Sequence, residues 1–201
     1  MNRWSLKRTV DPTSEPITPS DVIDHCGIPT HDQDAWLLRA IRAAREFAEI
    51  VQHRQFMTAT WRLTLDEFPS WEIKVPMPPL QSVSSITYLD TGGTSQTLGI
   101  TLYTVSADAE PTRITPAYGQ VWPSTRYQLE AVKVTFVAGY TSANLIPQTT
   151  IIAMTMMAAD LYEHREYTTE AILKYSQTAV SMLEAQSVLD FSGPLGVSCG
   201  L

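Results

Sequence analysis

The pentapeptide YEHRE, Tyr162 to Glu166, gathers two carboxylates, an imidazole and a guanidinium at the end of an apolar, methionine-rich run. Groups of these types suit metal-assisted hydrolysis or general acid–base work, provided a second ligand or base stands one helical turn away. A zinc-protease helix needs two histidines four residues apart with a glutamate base. Asp160 and Thr168 occupy the positions four before and four after His164, so no second histidine is present. His25, His31 and His53 lie far upstream and form no ligand pair at short spacing with it. The spacing instead predicts a helix end, where His164 and Arg165 put positive charge at the C-terminal end of the helix dipole, worth about 0.3–1 kcal/mol each.

A second stretch, SITYLDTGGTSQTL, leads an apolar strand into Asp90, Thr91 and Gly92 and is similar to the active-site loop of aspartic proteases. That chemistry needs two such loops sharing one proton, so a chain with one copy has to dimerise to use it. The alternative is a turn between two strands, with Gly92 and Gly93 free to take positive φ and Asp90 capping the turn. No GxSxG elbow, GxxxxGK[ST] phosphate loop or GxGxxG dinucleotide turn occurs.

The elements around these stretches follow from periodicity. TPSDVIDHC, from Thr18, has an N-cap threonine, a proline at the first helical position and Asp21 three residues on, with Gly27 as the stop; this predicts a short helix. Asp32 caps a longer one, in which Trp36, Leu37, Ala40, Ile41, Ala44, Phe47, Ala48 and Val51 recur at helical spacing. Arg42 with Glu46 and Arg45 with Glu49 are expected on its solvated face. From about residue 57 the period changes to two. ATWRLTLDEF, WEIKVP, SVSSITYLD, LYTVS, TRITPAYGQVWP and AVKVTFVAGY read as antiparallel strands, spaced too closely for βαβ crossovers. After Pro147 helical spacing returns through Arg165, and TTEAILKYSQTAVSMLEAQSVLDF suggests another helix. In the run before Tyr162, Ile151, Met154, Ala158 and Leu161 form one stripe. Ile152, Met156 and Ala159 form another roughly 100° away. The second stripe needs cover, either from the chain's own domain or from another subunit, where flexible methionines suit imperfectly matched surfaces.

The fold class is therefore α+β: a small helical bundle from the N- and C-terminal segments with an antiparallel β-rich insertion in the middle third. We divide the chain into an N-terminal arm (1–17), a helical segment (18–56), a β module (57–140), a helical segment (141–190) packing with 18–56, and an apolar tail (191–201). Lys and Arg total 14 against 21 Asp and Glu, a net charge of −7 in 201 residues, which disfavours gripping a phosphate backbone. Cys26 and Cys199 belong to no CxxC pair or zinc framework. No apolar stretch follows Arg3, Lys7 and Arg8, so no secretory signal is expected. LIPQTTIIAMTMMAADLY is too interrupted to span a membrane. The tail FSGPLGVSCGL carries no charge, and its Phe191, Leu195, Val197 and Leu201 are candidate docking side chains.

Taken in order, DAWLLRAIRAAREFAE, PLQSVSSITYLD, YTVS, RITPAYGQVWP, VTFVAGY and IPQTTIIAMTMMAADLYEHRE resemble the head-tail connector (adaptor) proteins of tailed bacteriophages and gene transfer agents, from about Thr18 to Tyr167. The resemblance implies a non-enzymatic virion protein without a cofactor. It implies a ring, usually of twelve copies, under the portal at the head–tail interface, assembled in the host cytoplasm. Its expected partners are further copies of itself, the portal protein and a stopper or tail-completion protein, with DNA passing through the ring without specific binding and no membrane involved. The subunit interface is expected at Ile152, Met156 and Ala159, and portal or neighbour docking at Phe191, Leu195, Val197 and Leu201. The alternatives are a neck stopper or tail-completion subunit and, from a different class, a hydrolase using Asp90 across a dimer.

Overall fold

The computed structural model describes residues 4–27, 34–106, 108–164 and 177–188. The chain divides into two compact units: a β unit from Met1–Pro12, Thr58–Gly139 and Val188–Leu201, and a helical unit from Thr13–Met57 and Tyr140–Ser187. Helices flank a middle run of strands, with one further strand at the N-terminal end, which makes the fold α+β.

In the β unit, β1 (Trp4–Val10), β2 (Ala59–Leu65), β4 (Leu80–Leu89), β5 (Ser95–Thr97) and β8 (Val132–Ala138) form one antiparallel sheet in the order β1-β2-β8-β4-β5. A second sheet has the order β3-β7-β6, from β3 (Ile73–Val75), β6 (Tyr103–Ser106) and β7 (Thr112–Pro116). Register follows the period of two. Leu63 faces Val134 and Leu65 faces Val132 across β2 and β8, Ile86 meets Val134 from β4, and Ile73 faces Ile114 in the smaller sheet. These side chains and Phe136 are buried in one apolar cluster drawn from both sheets, while Lys133 and Thr135, on the other side of β8, are only half-buried.

Two strands were not anticipated, and one was drawn too long. Residues 4–10, read from the sequence as part of an arm, form an edge strand paired with β2, Leu6 opposite Leu63. Lys7 and Arg8 masked its alternation, yet charges are what a sheet edge tolerates. Arg8 lies 5.7 Å from the Trp61 ring and 2.7 Å from Asp11. Strand β5, Ser-Gln-Thr, has no apolar residue to betray it. TRITPAYGQVWP was expected to be one strand to residue 123, but β7 stops at Pro116 and Gly119 turns with φ of 73°. The chain there leaves the small sheet and crosses to the large one, which calls for a loop.

The helical unit contains α1 (Pro19–Cys26), α2 (Asp34–Gln52), α3 (Gln148–Glu163) and α4 (Gln177–Glu184). The first helix is capped as its sequence predicts: the Asp21 amide donates to Thr18 Oγ1 (3.3 Å), the Thr18 amide donates to Asp21 Oδ2 (2.6 Å), and Gly27 closes the helix in the left-handed region at φ of 65°. Leu37, Ile41, Ala44 and Ala48 of α2 meet Met154, Met157 and Ala158 of α3 and Leu183 of α4 in the core. The third helix packs against α1, α2 and α4, which explains why it is apolar over most of its circumference.

The expectation for Arg45 and Glu49 is overturned. Both are buried, at 2% and 3% exposure. Arg45 Nε donates to Glu15 Oε2 at 2.6 Å and Nη1 to Glu49 Oε2 at 2.9 Å, while Glu49 Oε1 accepts from the Gln55 side chain and from the Phe56 amide. The segment before α1 lies over this side of α2 and brings Glu15 to the guanidinium, a contact that helical spacing within α2 cannot reveal. Arg42, with its side chain 67% exposed, remains on the solvated face.

Candidate functional site

His164 ends α3. Its amide donates to the Asp160 carbonyl at 3.0 Å, and its Nδ1 lies 3.1 Å from the same oxygen, so the imidazole turns back on the helix terminus. Arg165 and Glu166 lie outside the described residues. Among the described residues no three His, Cys, Asp or Glu side chains gather as a metal site would require.

Asp90 builds a turn. The Gly93 amide donates to its carbonyl at 2.8 Å, its own amide donates to the Thr94 carbonyl at 3.0 Å, and Gly93 adopts φ of 87°. Both carboxylate oxygens are engaged: Oδ1 accepts from the Thr94 amide (2.9 Å) and Oδ2 from Gln96 Nε2 (3.0 Å). The bond from Gln96, then that from Thr94, holds the carboxyl below its ordinary value. A group ionised and occupied in this way is suited to capping the turn between β4 and β5, not to sharing a proton with a second aspartate.

Along α3 the expected second stripe divides. Ala159 is buried at 6% exposure in the unit's own core, Met156 is half-buried at its margin, and Ile152 stands 42% exposed. Met156 and Ala159 line a shallow cleft of about 250 Å³ with His25, Cys26, Asp160 and Glu163. Burial, then the nearby Glu163 and Asp160 carboxylates, pushes the Cys26 thiol up, which keeps it protonated and unreactive at neutral pH. The candidates Phe191, Leu195, Val197 and Leu201 lie outside the described residues.

The β unit presents a surface that the sequence reading missed. Between β7 and β8, residues 117–131 form neither helix nor strand. The Trp122 ring stacks on Phe68 with centroids 4.9 Å apart, and its Nε1 donates to the Trp71 carbonyl at 3.0 Å. The Arg126 amide donates to the Leu89 carbonyl (3.1 Å) and the Glu130 amide to Asp66 Oδ1 (3.0 Å). Before and between these attachments Tyr118, Val121, Tyr127 and Leu129 are exposed to solvent. The available signal was AYGQVWPSTRYQLEA itself, which scatters large apolar residues among turn formers with no period of two.

Among the described residues no helix is long and apolar enough to cross a membrane. No protein-family model and no curated protein matches the sequence. The fold, in contrast, is shared with solved structures. A chain from the neck of an empty GTA particle, computed with C6 symmetry, superposes with a TM-score of 0.76 at 21% identity, covering 92% of this chain and 96% of that one. A chain from the neck of a native GTA particle, computed with C12 symmetry, gives 0.70 at 19% identity over 94% and 99% of the two chains. One from the virion of a native gene transfer agent particle gives 0.70 at 18% over 92% and 95%. The likeness spans both units and establishes a common fold.

Proposed function

We propose that this chain is a non-enzymatic structural subunit of the neck of a tailed phage-like particle: an adaptor that forms a ring, in the resembled family's usual twelve copies, and joins the portal to the stopper or tail. The observation that carries this reading is a fold shared over more than nine-tenths of both chains with neck chains of gene transfer agent particles. The Asp90 carboxylate, both of whose oxygens are bonded within its own turn, favours this reading over a hydrolase. In this reading DNA crosses the ring without being gripped, since a chain at −7 has no cationic excess with which to neutralise phosphates. The exposed edge of α3 at Ile152 and Met156 faces another subunit, and the tail residues Phe191, Leu195, Val197 and Leu201 dock on the portal or a neighbour.

Electron microscopy of the purified protein mixed with portal rings tests the assignment. Rings stacked on portals are expected; compact dimers with no affinity for portal would defeat it. Deleting Gly193–Leu201 should leave the fold intact and weaken co-sedimentation with portal, and equal sedimentation of truncated and full-length chains would make the tail dispensable.

A further inference from the structure

Loops normally turn polar side chains to water and apolar ones inward. The 117–131 loop exposes large apolar side chains as well as its polar ones. Its attachments to the β unit use the Trp122 indole and the Arg126 and Glu130 amides, while Tyr118 (105% exposed), Tyr127 (101%), Val121 (85%) and Leu129 (69%) are presented to solvent, beside Trp71 at 69%. A loop held at three points has already lost much of its conformational entropy, so a partner gains the apolar surface without ordering the loop again. We propose that this loop is a contact between copies of the chain, seated against a neighbouring subunit.

Two arguments select that occupant. The first is charge. Copies carrying −7 each repel, so their contact is favoured where local charge balances, and the loop holds one cation, Arg126, and one anion, Glu130. The same balance gives a phosphate backbone no cationic excess to bind. The second is area. Three aromatic side chains that hide roughly 150–250 Å² each when buried, with a valine and a leucine, come near the ~800 Å² that one partner contributes to a standard interface. In a closed ring the surface offered is not the surface received, so the loop meets a different patch on the next copy. The inference rests on the ring reading proposed above.

The test introduces the photo-crosslinking residue p-benzoylphenylalanine at position 118 or 127, where an exposed ring replaces an exposed ring, with the exposed position 10, on the edge strand β1, as control. Particles from cells producing each variant are irradiated, and crosslinked species are identified by mass spectrometry. Positions 118 and 127 are expected to yield dimers and higher ladders made only of this chain, and position 10 not to. A chain present in the particles that crosslinks there to a different protein, or to nothing, overturns the inference while leaving the neck reading in place. A chain absent from the particles removes both.

Discussion

Asp90 spends its charge on its own turn. Its folded pKa lies below the ordinary 3.8, chiefly because Gln96 and the Thr94 amide bond to the ionised form. A depressed carboxylate stabilises the fold fully above its unfolded pKa, and that contribution disappears as pH falls through the lower folded value. Asp90→Asn retains an oxygen for the Thr94 amide, so particle assembly and the neutral-pH melting temperature should stay close to wild type. Stability should also fall less steeply from about pH 5 to pH 2 than in wild type. Loss of particles with a folded, ring-forming variant would restore a catalytic role for the carboxylate. The turn was legible because its grammar is local: an aspartate followed by two glycines between alternating strands. Arg45 was not legible, because its partner Glu15 lies 30 residues away. Burial opposes its charge, yet Glu15 and Glu49 raise the guanidinium's pKa. Arg45→Ala leaves Glu49 buried without its cation and should cost about 3–5 kcal/mol in urea unfolding. Arg42→Ala, at the exposed neighbour, should cost about 0–1 kcal/mol. Equal effects of the two would mean that the buried ion pair contributes nothing beyond a surface one.

At the scale of elements, α1 was readable from its caps and α2 and α3 from helical spacing in consecutive residues, the expected α2 cap Asp32 lying outside the described residues, and β2, β4 and β8 because their inward side chains alternate. The sheet order was not readable, nor was the sheet switch that lengthens the 117–131 loop, since each depends on pairing distant strands. The third helix shows the same division. Its sequence is apolar around most of its circumference, but only the packing of α1, α2 and α4 decides which apolar residues are covered. Ala159→Asp introduces a carboxylate into the unit's own core and should destabilise the protein by several kcal/mol, read as a fall in the denaturation midpoint. Ile152→Asp changes an exposed position and should alter the midpoint little while reducing ring assembly. Met156→Glu, at the margin of the cleft with Asp160 and Glu163, adds repulsion to the same contact and should block assembly with the monomer still folded. Outright unfolding of the Ile152 and Met156 variants would assign that edge to the subunit's interior and remove it from the interface.

For the whole molecule, charge sets the terms of assembly. The helical segments carry most of the acidic excess behind the net −7, while the β unit is close to neutral. A ring of such subunits accumulates negative charge, and this self-repulsion opposes closure unless apolar contacts outweigh it. Salt shortens the Debye length from about 10 Å at 0.1 M to about 3 Å at 1 M, weakening repulsion between exposed charges while leaving apolar contacts intact or stronger. Ring formation by the purified chain, followed by sedimentation velocity, should therefore increase as sodium chloride rises through this range. Interfaces held mainly by ion pairs behave in the opposite way, so rings that dissociate on adding salt would refute the apolar contacts proposed at the 117–131 loop and the α3 edge. Duplex DNA supplies the complementary measurement. A surface that grips phosphate binds most tightly at low salt and loses affinity steeply as salt rises, by counterion release. An acidic ring through which DNA merely passes should show no binding even at the lowest salt, in a filter or electrophoretic assay with the assembled protein. Retention of DNA at low salt that vanishes as salt is added would locate a cationic lining in the bore and replace passive passage with an electrostatic grip.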